Sequence, residues 1–277
     1  MPTLNRARRT PRFLDLPAAT FRMTVMAMLP LVAAGCCCHR DREAGPASTQ
    51  PPTTPAAAAT FTSPKGQRIT ITRVGDTNPP EHVVALVLPP GAAPSPDAFR
   101  GNDRKAAKLS ISNAQVESFD DLAALLDSLP TDASMTNHNP EITEDASSGR
   151  VTEEQRNVKL KVWLYAAKKE ADNDFHLIMG REPGKPKRFL TMELTGLPAS
   201  GDPFRPRLKS VRDKFKAFFG QDLPGTQYDK YDPPVPVEVT GSLFFDVDHP
   251  AGAVGPQGFK PTTAWEVHPV TDLNFEP

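Results

Sequence analysis

Beyond Cys38 the chain contains no cysteine; its only three are the consecutive Cys36, Cys37 and Cys38. The folding part therefore has no internal disulfide, no thiolate ligand for zinc and no thiol nucleophile. Long apolar runs are missing as well. The stretch TVMAMLPLVAAG, Thr24 to Gly35, is shorter than the ~20 residues a membrane-spanning helix requires. There is no Gly-rich phosphate loop, nucleophile elbow or Cys/His pair. Nor is there a basic excess. Residues 1–35 hold five Arg against one Asp, so the remainder carries 27 basic and 32 acidic side chains. A mildly acidic body does not draw phosphate backbones by its bulk field, which argues against nucleic acid as a partner.

What is present begins with a leader. Arg6, Arg8, Arg9, Arg12 and Arg22 precede the short apolar run, which closes on small residues. That is the pattern of a secretory signal peptide, here residues 1–35. Cys36 follows Ala34-Gly35 directly and resembles the lipidated cysteine of a bacterial lipobox, although Ala33 stands where that motif prefers Leu. Residues 41–60, DREAGPASTQPPTTPAAAAT, lack the apolar groups to bury a core. Residues 36–60 are thus expected to be a disordered, lipid-anchored tether. The implied location is the bacterial cell envelope, facing periplasm or exterior, with the membrane as a partner through the anchor. Cleavage without lipidation is the plainer alternative and gives a secreted protein.

Residues 61–150 read as a small α+β lead-in. Strand-like runs occur at Arg68–Val74, His82–Leu88 and Lys108–Ser112. Ser118 is a candidate N-cap for a helix over FDDLAALLDSL, and 131–151 is a polar loop. From 151 the pattern sharpens. Val158, Leu160, Val162 and Leu164 alternate with Lys159, Lys161, Trp163 and Tyr165; Phe175, Leu177 and Met179 alternate with His176 and Ile178, and Leu190, Met192 and Leu194 with Thr191, Glu193 and Thr195. Asp202-Pro203 opens a helix with Phe204, Leu208, Val211, Phe215 and Phe218 on one face, ended by Gly220. Alternation returns from Val235 to Val247, with Gly241 predicting a bulge or bend, and again from Ala264 to Phe275, where Pro269 implies an edge or bulge. The order β-β-β-α-β-β over 151–277 predicts a mainly β fold, α+β overall. It is that of an OB-like five-stranded barrel with one helix between its third and fourth strands.

Several blocks of this half are similar to a group of exported bacterial proteins of unknown function. They are NVKLKVWLYAAKKEADNDFHLIMG (157–180), TMEL (191–194), VEVTGSLFFDVDH (237–249) and WEVHPVTDLNF (265–275). The shared pattern is an acidic run closing on His-Leu, then Thr-Met-x-Glu, Val-x-Val-Thr-Gly with Phe-Phe-Asp and His, and Glu-x-His-Pro-Val. The resemblance implies the barrel and export, and carries no activity. The Pro250–Thr263 insertion, and the lack of a Pro soon after Glu193, depart from the pattern.

The residues able to do chemistry are Asp172, Asp174, His176, Asp246, His249, Glu266 and His268. Imidazoles and carboxylates at alternate strand positions share a side, so His176, His249, His268, Asp174 and Glu266 are candidate ligands of one divalent metal. The blander reading is that each His is held by a local carboxylate at a strand end. Trp163 and Tyr165, on the outer parity of the first barrel strand, are candidate stacking residues for a ligand, or else pack beneath the lead-in. The six basic residues of the helix over 203–219 read as its solvated face. The expected function is a non-enzymatic binding or structural module for an envelope polymer or protein partner. The alternative is a nuclease-like, metal-dependent hydrolase using the His/Asp/Glu cluster.

Overall fold

The structure, a computed structural model, describes residues 58–75, 83 and 95–275. The leader, Cys36 and the tether up to residue 57 lie outside the described residues, as does the 82–88 run except for Val83. Ala58–Thr60, expected to end the tether, instead open the first strand, β1 (Ala58–Thr62). The described residues belong to one compact unit.

Five strands make the barrel: β4 (Asn157–Lys169), β5 (Phe175–Gly180), β6 (Phe189–Leu194), β7 (Tyr228–Phe245) and β8 (Trp265–Phe275). They pair in the order β4–β5–β6–β8–β7, and β7 returns to β4 to close the ring. Only the β6–β8 pairing is parallel within this ring. This is the connectivity of an OB-like barrel, with the long helix α4 (Arg205–Phe219) between the third and fourth strands. The predicted inward parity holds: Val158, Leu160, Val162, Leu164, Leu177, Met179, Leu190, Met192, Val237 and Val239 are all buried in one core. Such alternation forms strand because one face of the pleat gains apolar burial, worth about 1.5–3 kcal/mol for each fully buried large side chain.

α4 closes the barrel end with Phe215, Phe218 and Phe219. Phe215 meets Phe175 at 4.9 Å, and Phe218 stacks on Phe275 at 3.8 Å. The helix ends at Gly220, whose φ of 56° is left-handed. Its N-terminus differs from expectation: Phe204 is the N-cap, and Asp202 Oδ1 accepts from the Phe204 amide just upstream at 2.8 Å. Nor are all its basic residues solvated. Arg212 is buried and donates to the carbonyls of Leu194 and Thr195 and to Asp97. At Gly241 the β7–β8 register shifts as anticipated, and a Cβ there would come within 2.4 Å of Val267 Cγ1. A second shift lies between Leu164 and Ala166, so Leu164 and Ala167 both face the core and Lys168 turns outward.

The lead-in shares the barrel's sheet. β1 pairs with β2 (Arg68–Val74), which extends β7 at Tyr228–Asp232, while β3 (Val116–Phe119) runs parallel to β4. The strand expected at Lys108–Ser112 does not form. Lys105–Lys108 is a short helix, α1, and the carbonyls of Ser112 and Ala114 are taken by Asn157 Nδ2 rather than by a ladder. The helix expected from Ser118 is α2 (Leu122–Asp127), capped by Asp121, because Ser118 and Phe119 pair with β4. Within the expected loop, Asp132–Thr136 is a helix, α3. Asp132 accepts from Thr263 and Ala264, tying α3 to the β7–β8 loop. Among the described residues, no helix is long and apolar enough to cross a membrane.

Candidate functional site

Four neighbouring strands present polar side chains to the outer face of the barrel. Lys168, His176 and Glu193 stand directly opposite one another across β4, β5 and β6. The parallel register pairs Thr191 with Glu266 and Met192 with Val267, and continued by one residue it sets His268 beside Glu193. The two oxygens of Glu193 face the two imidazoles: Oε1 is 2.9 Å from His176 Nδ1, and Oε2 is 2.8 Å from His268 Nδ1. Glu170 Oε1 approaches His176 Nδ1 at 3.3 Å and the Lys168 ammonium at 2.9 Å. Asp174 Oδ2 lies 3.5 Å from His268 Nε2, and Glu266 Oε2 lies 3.7 Å from its Nδ1.

The β4–β5 loop adds carboxylates by turning tightly. The Glu170 amide donates to the Asp174 carbonyl, and Asn173 adopts a left-handed φ of 78°. Asp172 Oδ1 accepts from the Asp174 amide, and Asp174 Oδ1 from the Gly196 amide, so both side chains are held beneath the surface.

Residues 97–112 close over this face. The Phe99 amide donates to the Leu197 carbonyl and the Leu197 amide to the Asp97 carbonyl, the Arg100 amide donates to the Asp172 carbonyl, and Asn173 Nδ2 donates to the Ala98 carbonyl at 2.6 Å. Gly196 permits this approach, since a Cβ would lie 2.7 Å from Phe99 Cα. Arg104 reaches through to Glu154 and to the Phe245 carbonyl, and Lys108 lies 5.8 Å from the Phe244 ring centre. On this face His176 is 2% exposed, His268 and Asp174 0%, and Glu193 4%.

Burial and crowding pull the titrations apart. Burial, then the neighbouring Glu170, pushes the Asp172 carboxyl up to about 7. Burial, with Asp172 for Asp174 and Glu193 for Glu266, raises both of those carboxyls well above the ordinary range. Burial also opposes the charge on Glu193, but His268 and His176 hold it well below that range. His176 is driven to about 10, because Glu170 and Glu193 outweigh its burial, whereas burial wins at His268 and lowers it.

Of the candidates read from sequence, Asp172, Asp174, His176, Glu266 and His268 come together. His249 does not join them through any of these contacts; it pairs with Asp246 at 2.7 Å on the β7–β8 loop. Glu170 and Glu193 belong to the cluster and were missed as candidates. Glu193 carries a signal, its place in the Thr-Met-x-Glu block, but it stands on the outward parity of its strand. Tyr165 packs against Phe189 and Phe259 and donates to the Arg181 carbonyl. Trp163 is half-buried, with the Lys161 ammonium 5.8 Å from its ring centre.

Comparison with known proteins gives no match to a family model, to a curated protein or to a solved structure.

Proposed function

We propose that this chain is an exported bacterial envelope protein, lipid-anchored through Cys36, whose barrel acts as a non-enzymatic binding or structural module. The observation that carries the reading is the cover over the His/carboxylate cluster. OB barrels bind ligands on the face of their second and third strands and on the adjoining loops. Here that face holds His176 and Glu193, both buried, with residues 97–101 bonded to the adjoining Asp172, Asn173 and Leu197 and Gly255 of the β7–β8 loop against Ile178. A hydrolase needs an open coordination position, or a base within reach of substrate. The leader, the Ala34-Gly35-Cys36 junction and the resemblance to exported bacterial proteins support export and anchoring.

One cleft open to a ligand, of about 670 Å³, lies between the 132–144 segment and the β7–β8 loop. Glu141 and Glu144 line it beside Ile142, Phe245 and Val247. An acidic and apolar lining suits a positively charged envelope polymer or protein segment and disfavours nucleic acid.

Two experiments test the reading. Cys36→Ser should abolish incorporation of labelled fatty acid and release the protein from the membrane fraction; unchanged labelling removes the anchor. The purified chain, given Ca²⁺, Mg²⁺, Mn²⁺ or Zn²⁺, should not cleave nucleic acid or phosphodiester substrates. It should bind an envelope component saturably. Turnover that disappears in His176→Ala and His268→Ala would replace this reading with the metal-dependent hydrolase.

A further inference from the structure

The face beneath residues 97–112 carries more negative charge than the neighbouring cations balance. Six carboxylates, Glu170, Asp172, Asp174, Glu193, Asp246 and Glu266, are at most 8% exposed. The cations bearing on them are Lys108 and Lys168, with the His176 imidazole between Glu170 and Glu193. Unbalanced charge in a dry interior is costly, and either protons or a metal cation must meet the deficit.

Geometry distinguishes the two. A shared proton would align its donor and acceptor. His268 Nδ1 and Glu193 Oε2 are 2.8 Å apart, yet neither has a hydrogen-bond partner among the described residues. The same holds for His268 Nε2 and Asp174 Oδ2 at 3.5 Å. Only one nitrogen of an imidazole can bind a given ion, and neighbouring ligands with bonds of about 2.0–2.1 Å stand about 2.9–3.4 Å apart, so the 2.8 and 3.5 Å contacts bracket that spacing. We propose that Asp174, Glu193 and His268 hold one buried divalent transition-metal ion.

Three observations support this group. One ligand atom from each residue lies within 4.8 Å of the others. The second oxygen of Asp174 is already engaged, Oδ1 accepting from the Gly196 amide, while Glu193 Oε1 faces His176 Nδ1 at 2.9 Å. That leaves one oxygen of each for the ion, with outer contacts that fix its direction. The adjacent group of Glu170, His176 and Glu193 is also compact, but the Lys168 ammonium sits 2.9 Å from Glu170 Oε1 and repels a cation there. Glu266 and Asp172, each with a carboxylate beside the group, are the residues to complete the coordination. One imidazole among carboxylates, without thiolate, suits Zn²⁺ or Mn²⁺ better than Ca²⁺, which takes oxygen alone. Closed to solvent, the ion is structural, fastening the β4–β5 loop to β6 and β8 under the covering segment.

The proposal goes beyond the module reading and does not depend on it, since its test reads stoichiometry and stability rather than ligand binding or turnover. The purified full chain is stripped with EDTA and titrated with Zn²⁺, Mn²⁺ and Ca²⁺ by calorimetry, with melting followed in parallel. One Zn²⁺ or Mn²⁺ per chain is expected, with a melting temperature that climbs with ion concentration. Glu193→Gln and His268→Gln should each weaken binding by ~100-fold or more, while Glu170→Gln and His249→Gln stay near wild type. Binding lost in Glu170→Gln but kept in His268→Gln overturns the assignment in favour of the adjacent group. If the cluster variants do not fold, the wild-type titration decides alone: saturable one-to-one binding with a rising melting temperature supports the site, and the absence of either overturns it.

Discussion

Arg104→Met should detach the covering segment's main fastening. Arg104 is 1% exposed and forms a two-pronged pair with Glu154 at 2.6 and 2.8 Å. It also donates to the Phe245 and Gly149 carbonyls and lies 4.7 Å above the Phe244 ring centre. Methionine keeps the stem's packing but removes every donor. Glu154 cannot turn to water, because it is held by the Phe245 and Val151 amides, so its charge stays buried and unpaired. Breaking one side of such a pair costs about 3–5 kcal/mol. In a chain of this size, each 1 kcal/mol lowers the melting temperature by about 2–4 °C, so a fall of about 6–20 °C is expected. Urea unfolding of the purified chain at pH 7, followed by tryptophan fluorescence, measures the free energy directly. Adding Glu154→Gln removes the stranded charge and should recover about 1–3 kcal/mol, a coupling that identifies the pair itself as the source. A loss below about 1 kcal/mol, or a double variant no more stable than the single, refutes the reasoning.

Val239→Asp should unfold the barrel, since Val239 is 0% exposed in the core and a carboxylate there has no partner; a native circular-dichroism spectrum would sink the inward parity. Gly241→Ala should cost about 1–3 kcal/mol by overpacking against Val267, and an unchanged melting temperature would mean that the bend is not required. Asp121 caps α2 and pairs with Arg181 at 2.7 Å; this pairing, against a smaller opposing effect of burial, holds its carboxyl well below the usual range. Asp121→Asn keeps the capping oxygen and removes the charge, which at this partly exposed site should cost about 0.5–1 kcal/mol at pH 7. A depressed carboxyl stabilises above its unfolded pKa of about 3.9 and loses that contribution as pH falls toward the folded value, so the gap between variant and wild type should close in acid. A gap constant from pH 7 to pH 2 would rule out the ion pair as its cause.

Alternation along Val158–Leu164, Phe175–Met179, Leu190–Leu194 and Val235–Phe245 determined the barrel strands, and helical spacing from Leu208 to Phe218 determined α4. Both are local periodicities, readable without knowing what any segment packs against. Gly241 and Gly220 were legible for the same reason, as a missing side chain is a local fact. The lead-in was less legible, because Ser112 and Ala114 are satisfied by Asn157 and β3 forms only by pairing with β4, partners 40 or more residues away. The cluster depended on tertiary structure more than any other feature. Alternation tells inside from outside the barrel, and Glu193 is outside by that measure. It cannot tell an outer face in water from one beneath a second layer. Nor does it carry register: one residue's slip of β8 against β6 would exchange Glu266 and His268 for Trp265 and Val267 on that face. The meeting of Asp174, Glu193 and His268 was therefore decided by strand pairing and by the cover of residues 97–112, whose closure removes the water that would otherwise screen these charges.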